Sequence, residues 1–180
     1  METFLDLVKR RQSAHSFTNK PVEKEKIDRI LETARLSPSA CNAQPWKFIV
    51  VTDEKKRQEI ADATSKRFLP INHFSKQAPV HIVIVEESTN FFTKVGCYGV
   101  NRQYPLIDIG IATAHLCLAA TDEGLDTHVI GWYNEKKIQQ SLEIPENKKV
   151  MLVIVLGYSD DEIRPKKRKK IEELVSFNKY

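Results

Sequence analysis

Apolar residues recur along this chain at two spacings, and the alternation between them predicts a mixed fold. Over 3–11, Phe4, Leu5 and Val8 fall at helical spacing, so a first helix delivers Arg10 and Arg11 to its carboxyl end, where cations suit the helix dipole. Over 23–36, Ile27, Ile30, Leu31 and Ala34 stand at i, i+3, i+4 and i+7, the stripe of a helix packed on one side. Residues 48–51 read as a buried strand, and Asp53 caps a helix running to about residue 66 with a charged outer face. The near-continuous branched residues of 80–85 suit a strand covered on both faces.

The stretch 106–123 is apolar almost all round. Ile107, Ile111, Ala114, Leu118 and Thr121 share one side, and Gly110, Ala112, Ala119 and Ala120 allow close approach, so it predicts a central buried helix. Such a helix must be covered on every side, and a second copy of the chain would help to do so. Gly124 closes it, 125–130 returns as strand, Asn134 caps a helix to 142, and 150–156 is the last core strand. Residues 67–78 show no clear period. The aromatic stretch of Phe91, Phe92 and Tyr98 reads as a lid or pocket edge.

A chain of 180 residues without a Gly/Ser or Pro-rich linker is expected to form one domain, 1–180, of soluble composition. The apolar runs read as strand-length, so no membrane span is expected, and Met1-Glu2-Thr3 does not begin a secretion signal, which points to the cytoplasm. Cys41, Cys97 and Cys117 show no metal-ligand spacing and do not suggest a disulfide scaffold; with His115 two residues from Cys117, those two side chains point to different faces. The net charge of +4 is unevenly placed, with much of the excess in Arg164-Pro165-Lys166-Lys167-Arg168-Lys169-Lys170. Such a run is either a solvated face or a contact for an anion.

Two segments carry candidate chemistry. In Pro38-Ser39-Ala40-Cys41-Asn42-Ala43-Gln44-Pro45-Trp46, a proline at each end biases the preceding residue away from helix, where small and amide side chains cluster. Ser39 and Ala40 permit close main-chain approach to a flat ring, and Asn42 and Gln44 supply edge donors and acceptors. Near the amino end, Arg11, Ser13 and His15 combine a forked guanidinium, a hydroxyl and an imidazole, a donor set that suits a phosphate. There is no dinucleotide fingerprint, no phosphate loop at Gly96-Cys97-Tyr98-Gly99, and no Ser-His or Cys-His motif; Cys97 reads as inert.

Taken in order, Lys9-Arg10-Arg11-Gln12-Ser13-Ala14-His15-Ser16-Phe17, the Pro38 loop, Asp108-Ile109-Gly110-Ile111-Ala112, Gly124-Leu125-Asp126-Thr127-His128-Val129-Ile130-Gly131 and Leu156-Gly157-Tyr158 with its basic tail make a specific series. The chain resembles, nearly end to end, the short form of the nitroreductase family of FMN-dependent NAD(P)H oxidoreductases. The resemblance implies an α+β fold: a three-layer α/β/α sandwich with a central, mainly antiparallel sheet and a long buried helix. It also implies a homodimer with tightly bound FMN at the subunit interface. Arg10, Arg11, Gln12, Ser13 and His15 would then meet the phosphate and ribityl chain. Lys166 and Arg168 match a basic pair near the phosphate, while Pro38, Ser39, Ala40, Asn42 and Gln44 match the ring loop. Asn72 aligns loosely with a polar flavin contact, and Val129, Ile130 and Gly131 with backbone donors at the ring. Two departures stand out. His15 occupies a place usually held by Arg or Lys, so phosphate affinity is expected to fall as it deprotonates, and Asp126 replaces a glycine, so that turn should differ.

The implied reaction takes hydride from NAD(P)H and passes two electrons to a nitroaromatic, quinone or similar flat acceptor by a ping-pong mechanism. The flavin would carry the chemistry, with no catalytic side chain and no metal. Two other readings stand beside it: a family branch with a different flavin reaction, such as dehalogenation or flavin breakdown, and a non-catalytic module that binds an anion or nucleic acid through the basic tail. Nucleic acid is not the expected partner.

Overall fold

A computed structural model describes residues 3–65, 71–87 and 103–180. The aromatic stretch around Phe91 and Tyr98, with Cys97, lies outside the described residues. Among them the helices are α1 (Phe4–Arg10), α2 (Lys24–Arg35), α3 (Glu54–Thr64), α4 (Tyr104–Asp122) and α5 (Glu135–Leu142). The strands are β1 (Trp46–Val51), β2 (Val80–Glu86), β3 (Asp126–Ile130) and β4 (Lys149–Gly157), with short 3-10 turns at Ala40–Asn42, His73–Gln77 and Ile171–Glu173.

The caps explain where several helices start. Thr3 and Asp6 form a reciprocal capping box at α1, the Asp6 amide on the Thr3 hydroxyl at 3.2 Å and the Thr3 amide on the Asp6 carboxylate at 3.1 Å. Asp53 accepts from the Lys56 amide at 2.9 Å, and Asn134 from the Lys137 amide at 3.2 Å. Gly124, at φ +73°, ends α4 in the left-handed region, and the Leu125 amide reaches back to the Ala120 carbonyl at 2.8 Å. That turn sends the chain directly into β3.

The sheet runs β1-β2-β4-β3, antiparallel throughout, with Phe48 opposite Ile84, Ile82 opposite Ile154 and Val129 opposite Ile154. Alternation along the strands fills two cores. Ile82, Ile84, Ile154 and Leu156 pack with Ile27, Ile30, Ile109 and Leu116 of α2 and α4 on one face. Val83, Val85, Val153 and Val155 pack with Ile60 and Ile138 of α3 and α5 on the other. The expected three-layer sandwich is therefore the observed fold, and β2 is buried on both sides as its branched residues predict.

The long helix differs from expectation. Ile109, Ala112, Leu116 and Ala120 are buried, but Ile107 is 53% exposed and Ala114 and Gly110 are exposed. The stripe through Ile107, Ile111, Ala114 and Leu118 is thus the open flank of α4, because α2 and the sheet cover only the other one. By length and composition α4 is also the one candidate membrane span among the described residues, which a reading of strand-length apolar runs overlooks. Here it serves as a core helix against α2 and β3.

A second close fit fixes the amino-terminal segment. A Cβ on Gly157 would lie 2.6 Å from Pro79 Cδ and 3.2 Å from the Phe17 ring. This glycine lets Phe17 and Pro79 close on the end of β4, where the Thr18 amide donates to the Tyr158 carbonyl at 2.8 Å. The segment from Ser13 to Thr18 is thereby held along the sheet.

Candidate functional site

The chain leaving α1 runs beside the outer edge of β3. Ser13 forms a parallel bridge with Thr127, and the Ala14 amide donates to the Thr127 carbonyl at 3.0 Å. The carboxyl-terminal tail folds back onto the same segment. Gln12 is buried and holds it, its amide nitrogen donating to the Glu162 carbonyl at 3.2 Å while its oxygen accepts from the Arg164 amide at 3.2 Å. Asp161 accepts from the His15 amide at 2.6 Å and the Ser16 hydroxyl at 2.5 Å. Burial raises the Asp161 carboxyl, but those bonds and the Arg164 charge bring it below its ordinary value.

This folding gathers cations. The Lys166 ammonium donates to the Arg11 carbonyl at 2.5 Å, and Arg164 donates from one nitrogen to the Ser13 carbonyl and lies 3.2 Å from His15 Nδ1 with another. Lys166 is held below its ordinary value first by burial, then by Arg11, Arg168 and Arg164. Like charges crowded closely enough to disfavour one another lack an anion, and an oxyanion is the ligand that such a group fits. Among the described residues the Arg11 guanidinium has no hydrogen bond or ion pair.

The strand edge continues from this cluster. Backbone groups alternate sides along a strand, so Val129 and Gly131 turn their amides to the same side as Thr127, away from β4. At about 3.3 Å per residue they lie roughly 7 and 13 Å beyond the Ser13 bridge. His128, between Thr127 and Val129, makes a 2.8 Å bond from Nδ1 to the Ala14 carbonyl and packs against Phe74 with the ring centroids 4.5 Å apart and the planes tilted. Nδ1 is the donor to that carbonyl, which leaves Nε2 as the acceptor nitrogen of the neutral ring. Its basicity is lowered first by burial and further by the Arg164 charge, against the opposing Ala14 bond.

The Pro38 loop is the second half. Cys41 and Asn42 both have φ of 51° and Gln44 has φ of 46°, three non-glycine residues in the left-handed region. Asp108 holds the strain: buried in the first turns of α4, its carboxylate accepts from the Ala40 amide at 3.1 and 3.2 Å. Ser39 Oγ accepts from the Gln44 amide at 3.0 Å, and the Gln44 side chain folds onto the Asn42 carbonyl at 3.2 Å. Asn42 and Gln44 remain exposed. Ser37 Oγ, just before the loop, is buried with no hydrogen-bond partner among the described residues.

The structure thus brings Arg11, Ser13, His15, Lys166, Val129 and Gly131 along one edge, with Arg168 within electrostatic reach, while the Ile130 amide, expected as a donor there, turns toward β4 by the same alternation. Three expected ligands are engaged elsewhere. Arg10 donates to the Thr121 carbonyl at 2.9 Å, serving the carboxyl end of α4, because α1 docks there. Gln12 ties the tail rather than facing the edge. Asn72, itself at φ 57°, donates to the Thr64 carbonyl at 3.0 Å and closes α3.

The Pro38 loop does not join this edge within one chain. It docks at Asp108 while Arg10 docks at Thr121, and thirteen residues of helix separate the two by about 20 Å. Sequence reasoning missed Asp108, whose signal was a lone acid in an apolar helix, and Arg164 and Asp161, which look like members of a solvated charged tail.

Comparison with known proteins fits this arrangement. The model of the nitroreductase family matches residues 8–158. The chain is 28% identical to an oxygen-insensitive NADPH nitroreductase of Helicobacter pylori, over 97% of this chain and 99% of that one. It is 24% identical, over the full length of both, to an iodotyrosine deiodinase of Thermotoga neapolitana. Among solved structures, a nitroreductase family protein from Clostridium novyi superposes with a TM-score of 0.76 at 31% identity, covering 89% of this chain and 87% of that one. An FMN-dependent nitroreductase from Clostridium difficile does so with a TM-score of 0.76 at 28% identity, covering 98% and 99%. The match runs from the last turn of α1 to just past the end of β4 and takes in Arg11, Ser13 and the Pro38 loop, and the chain belongs to the nitroreductase family.

Proposed function

We propose that residues 1–180 act as one FMN-binding domain in a homodimer that carries two electrons from NAD(P)H to a nitroaromatic, quinone or similar flat acceptor. The observation that carries this reading is the group of Arg11, Arg164, Lys166 and Arg168 around Ser13, at the start of a strand edge with outward amides. A phosphate monoester at one end of an elongated planar ligand suits that order of donors. Arg11, Lys166 and Arg168 would neutralise the phosphate, and the Ser13 hydroxyl would donate to it. The Val129 and Gly131 amides would meet the ring edge, where fixed dipoles favour negative charge as it develops.

When bound, FMN supplies the hydride chemistry itself, so no side chain here has to act as acid or base. The protein holds the phosphate, orients the ring and leaves one face open. NAD(P)H and the acceptor then use that face in turn, which gives ping-pong kinetics.

A second copy supports the same reading. Ile107, Ala114 and Leu118 expose an apolar flank of α4, and a cavity of about 360 Å³ lined partly by Phe4, Leu7, Ala114 and His115 opens beside it. A twofold axis across this flank sets two α4 helices antiparallel. The Asp108 end of one, with its Pro38 loop, then faces the Thr121 end of the other, with its cations. The loop of each copy would cover the ring held at the other copy's edge.

The test is spectroscopic. Purified protein should be yellow, bleach under anaerobic NADH or NADPH, and regain its colour when a nitroaromatic or quinone is added. Colourless protein that also fails to bind added FMN overturns the reading. The full-length likeness to an iodotyrosine deiodinase favours a second branch of the same flavin chemistry, and halide release from iodinated tyrosine would identify it.

A further inference from the structure

We infer that Arg164 is a phosphate-binding residue of this site and that His15 is its positioning residue, acting through the guanidinium rather than on the phosphate itself. The inference rests on the FMN reading above and concerns how this chain holds the anionic end.

Arg164 is placed from four directions. Its amide donates to the buried Gln12 side chain at 3.2 Å, one guanidinium nitrogen donates to the Ser13 carbonyl, and another lies 3.2 Å from His15 Nδ1. Asp161 is 3.9 Å away, outside hydrogen-bond distance, and its oxygens already accept from the His15 amide and the Ser16 hydroxyl. The carboxylate therefore orients the guanidinium without satisfying it. About half of the Arg164 side chain (47%) stays exposed, on the tail that also carries Lys166, whose ammonium meets the Arg11 carbonyl.

The donor count decides the role of His15. A guanidinium has donors only, so the contact at 3.2 Å requires His15 Nδ1 to be the acceptor. The ring is then neutral at that nitrogen. It is clamped in this orientation by Phe74 at 5.5 Å and His128 at 5.1 Å, and His128 is itself locked by its bond to the Ala14 carbonyl. A neutral acceptor pointing at a guanidinium fixes it in place and contributes no charge of its own to an anion. Arg164 stands with Arg11, Lys166 and Arg168, cations close enough to disfavour one another, and an oxyanion placed among them would meet its guanidinium.

The experiment measures binding of FMN and of riboflavin, which lacks the phosphate, to apoprotein of the full chain by quenching of flavin fluorescence. Arg164→Gln should weaken FMN by roughly ten- to a hundredfold and leave riboflavin within about twofold. Arg164→Lys should recover part of the loss. His15→Ala should weaken FMN by several-fold in the native background and have no further effect in Arg164→Gln, the coupling expected when one residue works through the other. Equal losses for FMN and riboflavin would make Arg164 a pin for the tail and overturn the inference, as would unchanged FMN affinity. Independent, additive losses from His15→Ala and Arg164→Gln would return His15 to direct contact with the phosphate. A native chain that binds neither flavin would instead remove the FMN reading itself.

Discussion

His81 is the least comfortable group in the core, and replacing it should change how the protein responds to acid. It sits in β2 on the face of Val83 and Val85, fully buried, and among the described residues neither ring nitrogen makes a well-formed hydrogen bond, the Ser75 backbone offering only a weak polar contact. Burial, reinforced by the nearby Arg57 charge and only slightly opposed by the Ser75 backbone, pushes its pKa down from 6.5 to about 4. The native ring is therefore neutral where the unfolded chain's ring begins to take up a proton. The stability linked to this group is whole above about pH 6.5 and is lost as the pH falls toward about 4. With those two values the loss at about pH 4.5 amounts to about 2.5 kcal/mol, a sizeable share of a domain's stability.

His81→Leu keeps the volume, removes both unpartnered nitrogens and abolishes the linkage. Urea unfolding of the two proteins at about pH 7.5 and about pH 4.5 separates this effect from the carboxylates, which titrate in both. The variant should be at least as stable at the higher pH and should lose about 2.5 kcal/mol less than the native chain on acidification. Equal acid sensitivity would refute the reasoning, because it would mean that His81 is charged or partnered in the fold.

Other substitutions probe the parts that shape the site. Gly157→Ala sets a methyl within 2.6 Å of Pro79, so it should cost about 1–3 kcal/mol and lower the Tm by several degrees in calorimetry. Asp108→Ala removes the acceptor of the Ala40 amide from beneath three left-handed residues; FMN titration should show weaker binding, with a stability loss of about 1–3 kcal/mol. Ala114→Arg places a cation in the middle of the open flank of α4, and sedimentation should show a monomer with little bound flavin. If that variant remains a dimer, α4 is not where the copies meet.

Much of the fold is legible because it is local. The stripe of Ile27, Ile30, Leu31 and Ala34 marks α2, the branched run marks β2, and Asp53 and Asn134 mark helix starts through side chains acting three residues away. What local pattern does not carry is which side of an all-apolar helix meets its own chain. Ile107 and Ile109 are alike in the sequence, yet only Ile109 is buried, because α2 and the sheet lie on that flank.

The site shows the same limit. Arg10 and Arg11 are identical neighbours, and the docking of α1 against the end of α4 decides that Arg10 serves the Thr121 carbonyl while Arg11 lies among the cations around Lys166. The left-handed backbone of Cys41, Asn42 and Gln44 carries no glycine to announce it, since a buried carboxylate from a distant helix sustains it. Arg164 reads as one more charge in a basic tail until Gln12 and His15 fold that tail against Ser13.

The claim on which the account turns is that each flavin is shared, its phosphate held by one copy and its ring covered by the Pro38 loop of the other. Two inactive variants test it: Arg11→Ala with Lys166→Ala and Arg168→Ala in one chain, and Asn42→Ala with Gln44→Ala in the other. Each homodimer alone should lack NAD(P)H-dependent bleaching. After unfolding and joint refolding of equal amounts, a mixed dimer would pair the intact edge of one chain with the intact loop of the other, restoring about a quarter of all sites. Flavin content and bleaching near that fraction are the predicted result; no recovery in verified mixed dimers would contradict the account and return both halves of the site to a single chain.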